Sequence, residues 1–429
     1  MKLYKVLVFP GGTEIGLEIY NALCSCKDIQ LYSAGLDVSN HAPYVFKNHF
    51  NIPSIHDPAW IDSLNKIIIE NNIDYIFPAY DDIVISLAIN AEKIKAKIIS
   101  SPLETCLITR YKSKTYAMFS TNIPIPKIYR SLDEIDYFPV FIKPDKGQGS
   151  KDTHIVDNKQ HLSVLLSKNQ EYIITEYLPG DEYTIDCFSH RHTGLIFCRG
   201  RQRIRTKSGI SMNSRSTNNS SNEIFFNYAK LISEKLTFYG AWFFQLKKDK
   251  DGNYKLLEIA PRIAGSMAFH RVQGINFSLL SIYEQENIPI EVITNKFDVE
   301  LDRALINRYK HNIEYKTVYV DLDDTLVING KLNLSLIQFL YQCINNDKKL
   351  ILLTKHTGDV NNFLEKYRIK CIFDSIIQID KSAYKANYIL EKNAIFIDDS
   401  FNERKSVNTK LSIPTFDSSM IELLLDYKG

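Results

Sequence analysis

The chain has 429 residues, enough for about three domains at roughly 150 residues each. Hydrophobic residues make up 45% and charged residues 24%, an ordinary globular balance that excludes disorder over most of the length. Lysine and arginine number 52 against 50 aspartates and glutamates, and the resulting net charge of +2 gives no field for bulk binding to nucleic acid or a membrane surface.

No apolar run approaches the roughly 18–20 residues of a membrane helix. The opening MKLYKVLVFPGG is broken by Pro10, Gly11 and Gly12 and reads as a first strand, not a signal peptide. The seven cysteines are scattered with no CxxC, so neither a disulfide framework nor a zinc site is expected. A reducing, cytoplasmic location is the default expectation.

The first block, residues 1–101, alternates apolar strands such as VLVF (6–9) and YIF (75–77) with longer helical stretches, the rhythm of a parallel sheet. Gly11, Gly12 and Gly16 fall between the first strand and a helix. They suit a ligand or close helix packing but do not complete GxGxxG. Asp81 and Asp82 follow a strand and precede a helix, so one of them is expected to cap it.

The second block, 102–288, is strand-rich in its middle. In FPVFIKPDKGQGSKDTHIV an apolar strand delivers Lys143, a turn follows with Gly147, Gly149 and Ser150, and a second strand leaves. Glycines let backbone N–H groups approach phosphate oxygens, and Lys143 adds a cation beside them. The loop joins two strands, which argues against a P-loop or a Rossmann loop. In RGRQRIRTKSG, Arg199, Arg201, Arg203, Arg205 and Lys207 share one strand face, which cannot be buried without anions. The face is a solvated edge or a cleft wall for phosphate; no aromatic interleaving supports RNA. The run SMNSRSTNNSSN (211–222) is expected to be a mobile loop. GAWFFQLKKDKDGNYKLLEIAPRIAG reads as two strands on which Gln245 and Glu258 face each other as oxygen ligands for a divalent cation.

In this order these passages resemble the ATP-grasp superfamily over most of the first 290 residues, with a first block like the domain preceding ATP-grasp in carbamoyl-phosphate-synthase-like ligases. The resemblance implies that Lys112, with Lys114 as near competitor, contacts ATP phosphates; the family's usual aspartate before that lysine is Tyr111 here. It implies that Glu176, Tyr177 and Leu178 line the adenine, that Glu182 accepts from the ribose, and that Arg203 and Arg262 screen the transferring phosphoryl group. In the family's E-x-N-P-R motif this chain has Ala260 for asparagine, which removes one Mg²⁺ ligand.

A charged, weakly periodic stretch, 289–315, is expected to be a linker. The third block, 316–429, returns to strand–helix rhythm. TVYVDLDDTLV ends a strand in Asp321 and Asp323, taken to share a face. Two adjacent carboxylates raise each other's pKa, so one acts as nucleophile while the other carries a proton. Thr354 follows the strand LILL, and Asp398 and Asp399 follow AIFI. This ordered set resembles the haloacid-dehalogenase-like phosphatases. By that resemblance Asp321 is phosphorylated and Asp323 is acid and base. Thr354 holds the phosphoryl oxygen, Lys385 (alternatively Lys381) offsets the charge, and Asp321, Asp323, Asp398 and Asp399 bind metal. The short stretch 329–334 leaves little room for a cap domain.

The expected fold class is therefore α/β and α+β: a Rossmann-like domain, an ATP-grasp fold, then a small capless haloacid-dehalogenase-like domain. The expected function is bifunctional, an ATP-dependent carboxylate–amine ligase and a phosphate monoester hydrolase in one pathway. ATP and Mg²⁺ (or Mn²⁺) are the expected cofactors, small-molecule carboxylate and amine the substrates, and a homodimer the default assembly. A small-molecule kinase, favoured by ADP formation without an amine, and a nucleotide-sensing scaffold, favoured by Ala260, are the alternatives.

Overall fold

The VLVF run becomes the centre of a five-stranded parallel sheet in the computed structural model, which describes residues 2–147, 149–167, 171–295, 297–309 and 311–426. Strand order is Asn48–Asn51, Ile29–Gly35, Tyr4–Phe9, Tyr75–Pro78, Lys97–Ile98. Val6, Leu7 and Val8 are fully buried, as a strand covered on both faces requires. Thr13 caps the helix Glu14–Leu23 by accepting from Gly16 N. A Cβ at Gly16 would lie 2.7 Å from the Gly11 carbonyl oxygen, so this glycine serves close packing at the first strand–helix turn.

The helix Asp81–Ile89 corrects one expectation. Its N-cap is Tyr80, and neither aspartate caps it. Both carboxylates turn to arginines instead: Asp81 binds Arg262 at 2.5 Å and Asp82 binds Arg110 at 2.9 Å. A charge-assisted pair outcompetes a backbone cap.

Two antiparallel sheets follow. The smaller has the order Ile128–Tyr129, Tyr172–Glu176, Val140–Pro144, His154–Val156. The larger runs Tyr254–Ala260, Gly240–Lys248, Glu182–His190, Gly194–Lys207, Ile210–Ser216, Glu300–Asp302. The helix Asn219–Lys235 covers this sheet through Phe225, Ala229 and Ile232, which pack with Trp242 and Phe244. The change of sheet near residue 101 is not a gap between cores. Val6 and Val8 share one apolar cluster with Phe188, Phe197 and Phe243, and Met1–Ile306 forms one compact body.

The polar run 211–222 is structured, contrary to expectation. Ser211 and Ser214 bond each other at 2.8 Å, and Asn213 donates to Glu300 and Asp302 on the neighbouring edge strand. Asn218 then caps the next helix by accepting from Ser221 N. Polar side chains find partners across the sheet, which composition alone does not reveal. That edge strand lies inside the stretch expected to be a linker, so residues 300–302 belong to the first body.

The cationic strand also divides. Arg201 is buried against Asp186 at 2.8 Å, and Arg203 pairs with Glu182. The ladder is irregular after Arg203, and Arg205 and Lys207 are exposed, Arg205 reaching Asp302. The anions that allow burial are the protein's own carboxylates.

The second body, Asn307–Gly429, has a five-stranded parallel sheet in the order Ser375–Gln378, Lys349–Thr354, Thr317–Val320, Ala394–Ile397, Thr415–Phe416. Between its first strand and the helix Leu334–Asn345 stands only the hairpin Val327–Ile328 with Lys331–Leu332. Among the described residues, no helix is long and apolar enough to cross a membrane.

Replacing Asp186 by alanine leaves Arg201 buried and uncompensated, so the first body should lose about 3–5 kcal/mol. Both tryptophans, Trp60 and Trp242, lie in that body, so tryptophan fluorescence during urea unfolding reads this loss directly.

Candidate active sites

A cleft of about 230 Å³ opens between the two antiparallel sheets of the first body. Lys112, Lys143, Gly147, Gly149, Ser150, Glu176, Tyr177, Leu178 and Glu182 all line it, together with Arg203, Gln245 and Glu258. The residues singled out as nucleotide-binding are thus brought together across 70 positions of sequence. Gln148, inside the glycine turn, lies outside the described residues.

The glycine turn is held by the tip of the hairpin opposite. Gly209, at φ +73°, would bring a Cβ to 2.5 Å from the Gly149 carbonyl carbon, so only glycine allows this approach. Arg203 binds the Gly209 carbonyl and fixes the tip from beneath.

Lys143 is buried and has no carboxylate partner within ion-pair distance among the described residues. Its Nζ donates to the Tyr116 hydroxyl at 2.6 Å, and that hydroxyl donates to the Leu257 carbonyl. Burial, reinforced by the nearby Lys112 charge, pushes the Lys143 pKa down to about 7. Lys112 is likewise lowered by burial, and among the described residues its Nζ meets only the Asp145 and Gly147 carbonyls, at 3.5 and 3.3 Å. Lys114 instead lies over the Tyr111 ring, 4.7 Å from its centroid, and does not line the cleft. Of the two candidates, Lys112 lines the cleft and Lys114 does not.

Opposite the lysines, Gln245 and Glu258 are paired across the ladder as expected. Gln245 accepts from Arg203 at 2.9 Å. The Glu258 carboxylate has no hydrogen bond or ion pair among the described residues, and it faces Lys112, Lys143 and Arg262 through space. Glu176 and Glu182 are less free than expected. Glu176 accepts from Lys127 N at 2.9 Å and meets Lys255, while Glu182 is held by Arg203.

An adjoining cavity of about 130 Å³ shares Lys112, Arg203, Gln245 and Glu258 with the cleft. Arg262 lines it, locked to Asp81, with Ala260 alongside. Glu14 and Arg303 line it too, and the sequence reading missed both. The available signal for Glu14 was its place just after the first parallel strand, where ligands gather. Arg303 lay in a stretch without periodicity.

In the second body, Asp321, Thr354 and Asp398 stand at the carboxyl ends of three adjacent parallel strands. Lys385 is buried between two of them, with Nζ at 2.6 Å from both Asp321 and Asp398. Lys381 is exposed and makes no ion pair among the described residues. Burial, opposed by Lys385, pushes the Asp321 pKa up to about 7, and Asp398 is raised in the same way. Oxygens of Asp321, Asp398 and Asp399 come within 4.8 Å of one another, a spacing that fits one divalent cation. Thr325 orients Asp399, bonding its carboxylate at 3.2 Å and its N–H at 2.9 Å.

Asp323 departs from expectation. The strand ends at Val320, Leu322 enters the core, and the i, i+2 rule no longer applies. Its half-exposed carboxylate lies outside the acidic trio and meets His356 Nδ1 at 2.9 Å. His356, two residues beyond Thr354, was not singled out in the sequence.

Residues 168–302 match a family model described as "ATP-grasp in the biosynthetic pathway with Ter operon". A D-alanine–D-alanine ligase of Fusobacterium nucleatum is 33% identical over 101 residues, 23% of this chain and 35% of that protein. The chain thus spans about a third of the length of this relative. Among solved structures, the biotin carboxylase domain of Hydrogenobacter thermophilus 2-oxoglutarate carboxylase, bound to MgADP, ADP and bicarbonate, superposes with TM-score 0.56 at 15% identity, covering 67% of this chain and 70% of that one. An L-amino acid ligase from Bacillus licheniformis gives TM-score 0.53 at 17% identity over 68% and 76%. The sheets, the glycine turn and these likenesses agree that this chain carries a mixed α/β ATP-grasp fold.

Proposed function

We propose that the first body is an ATP-dependent carboxylate–amine ligase. One observation carries the reading: a buried and a half-buried lysine without acidic ion-pair partners among the described residues, a glycine turn and the free Glu258 converge on one cleft. Buried cations without counter-charges are costly, and a polyphosphate offsets that cost. The orphaned, buried Nε of Arg203 fits the same group. The likeness to a D-alanine–D-alanine ligase and an L-amino acid ligase supports amide formation as the outcome.

Lys112, Lys143 and the N–H groups of the glycine turn would hold the phosphates, and Tyr177 and Leu178 the base. Glu258 and Gln245 would hold Mg²⁺, which screens phosphate charge when bound. A substrate carboxylate oxygen attacks the γ-phosphorus and ADP leaves. An amine nitrogen then attacks the acyl carbon, phosphate leaves and the amine sheds a proton. Arg203 and Arg262 screen the charge that develops.

For the second body we propose a capless, haloacid-dehalogenase-like phosphate monoester hydrolase. Asp321 is the nucleophile, neutralised by Lys385, and Thr354 holds the phosphoryl oxygens. Asp323, oriented by His356, protonates the leaving oxygen and then activates water. Asp321, Asp398 and Asp399 would hold the Mg²⁺ or Mn²⁺ that offsets phosphoryl charge. Two such sites on one chain suggest that one reaction feeds the other.

The decisive assay is ADP release from Mg·ATP by the Asp321→Asn variant, with pooled carboxylates, with and without pooled amines. Amine-dependent release is expected; release without amine would instead indicate a kinase. The same substitution should lower hydrolysis of p-nitrophenyl phosphate at least 100-fold.

Lys143 makes two further predictions. Lys143→Met should weaken ATP binding at least tenfold yet stabilise the ligand-free protein by about 1 kcal/mol in urea unfolding. The folded pKa of about 7 lies below the usual lysine value of 10.5, so this gain is full below pH 7 and shrinks as pH rises toward 10.5. Bound phosphates should restore the proton. ATP binding at pH 8 should therefore take up close to one proton, and far less at pH 6, as calorimetry in buffers of different ionisation heat reads directly.

A further inference from the structure

The cavity beside the nucleotide cleft is small and highly charged, but most of its charges are already matched. Arg262 is held by Asp81, Arg110 by Asp82, Arg201 by Asp186 and Arg203 by Glu182. Four charges lining it lack an ion-pair partner among the described residues: Lys112 and Glu258, which it shares with the nucleotide cleft, and Arg303 and Glu14, which line this cavity but not the cleft.

Arg303 is delivered by the edge strand Glu300–Asp302 and anchored by its own N–H, which donates to the Met212 carbonyl at 2.8 Å. Its guanidinium has no carboxylate within 4.0 Å among the described residues, and its one side-chain hydrogen bond there, to the Ser211 carbonyl, is long at 3.5 Å. Burial strips water from it. Glu14, in the first turn of its helix, makes no side-chain hydrogen bond or ion pair among the described residues. Its Cγ passes over Gly265, where a Cβ would come to 2.8 Å, so the absence of a side chain at 265 is what admits it. The two groups feel each other's charge but stand beyond ion-pair distance. A cation and an anion held apart across one small cavity match the two ends of a zwitterion.

We propose that the amine substrate is an α-amino acid, with Arg303 receiving its carboxylate and Glu14 its ammonium group, and that Arg303 determines this selectivity. The proposal rests on the ligase reading and names the class of its second substrate. Glu14 first takes one proton from the ammonium, freeing the nitrogen lone pair; the C–N bond then forms as the acyl carbon–phosphate oxygen bond breaks, and the second proton leaves with the released phosphate. Its carboxylate remains unreacted on Arg303.

The test uses the full-length Asp321→Asn chain, Mg·ATP and a pool of hydroxy acids, sugar acids and N-acylated amino acids. Amines are supplied either as the twenty L-amino acids or as matched amines lacking the α-carboxylate. Amino acids should drive ADP release at least tenfold better than the matched amines. Arg303→Ala should raise the amino-acid KM at least 30-fold with kcat within threefold and the KM for ATP within twofold, and Arg303→Lys should recover part of the loss. Glu14→Gln should lower kcat as well as raise KM. Equal use of the matched amines, or an amino-acid KM unchanged by Arg303→Ala, overturns this inference while leaving the ligase intact. ATP binding with no ADP release in any arm overturns both.

Discussion

A lysine buried without an acid to meet it is the constraint on which the first body depends. Lys143 donates to one phenol, and that phenol is committed to a backbone carbonyl. The more distant Glu258 and Glu182 charges offset only part of its desolvation. The fold tolerates this because the strand Val140–Pro144 is pinned on both sides, by Tyr172–Glu176 and His154–Val156. Local strain of this kind is characteristic of a site shaped for a ligand and not for its own stability.

The arginines follow the opposite rule. Each of Arg110, Arg201, Arg203 and Arg262 is matched to one carboxylate, and together they build a rigid, nearly neutral frame around the cavity. Against that frame the unmatched groups stand out: Lys112 and Lys143 on one side, Glu258 between, Arg303 and Glu14 beyond. A matched pair holds shape, and an unmatched charge in a half-enclosed cavity invites a partner. Sorting charges by whether they are matched separates framework from candidate ligand contacts more sharply than burial does.

How much was legible in the sequence depended on how local the signal was. The glycine turn, Lys143 and the carboxylates at 321, 398 and 399 announce themselves because strand, turn and polar residue are contiguous. The Gln245–Glu258 pairing was legible because one hairpin fixes its register. The ATP-grasp fold followed from the order of such segments. Asp81 was misread because its partner is 181 residues away, and sequence position alone offered only a helix start. The run 211–222 was misread because its serines and asparagines satisfy each other across strands. Arg303 and His356 were invisible for the same reason: their meaning lies in what the fold sets beside them. Asp323 shows a different limit, since a periodicity argument fails at the residue where the strand stops.

The two bodies solve one electrostatic problem with opposite signs. In the first, cations outnumber acids at the cleft, and a polyanion is the group that restores balance. In the second, three carboxylates crowd together while a single lysine meets two of them, and burial holds those two above the usual carboxylate range. Lys385 cannot neutralise all three, so the remaining negative charge calls for a cation. Both arrangements sit at the carboxyl ends of strands or at strand-to-strand turns, where backbone geometry places side chains without committing their charges to the core. A sheet can bear such an imbalance only at its rim, because within its layers every buried charge must find a partner from the chain itself. The Asp186–Arg201 pair, inside the large sheet, marks that boundary: one strand register further in, the imbalance that defines the rim has become a closed ion pair.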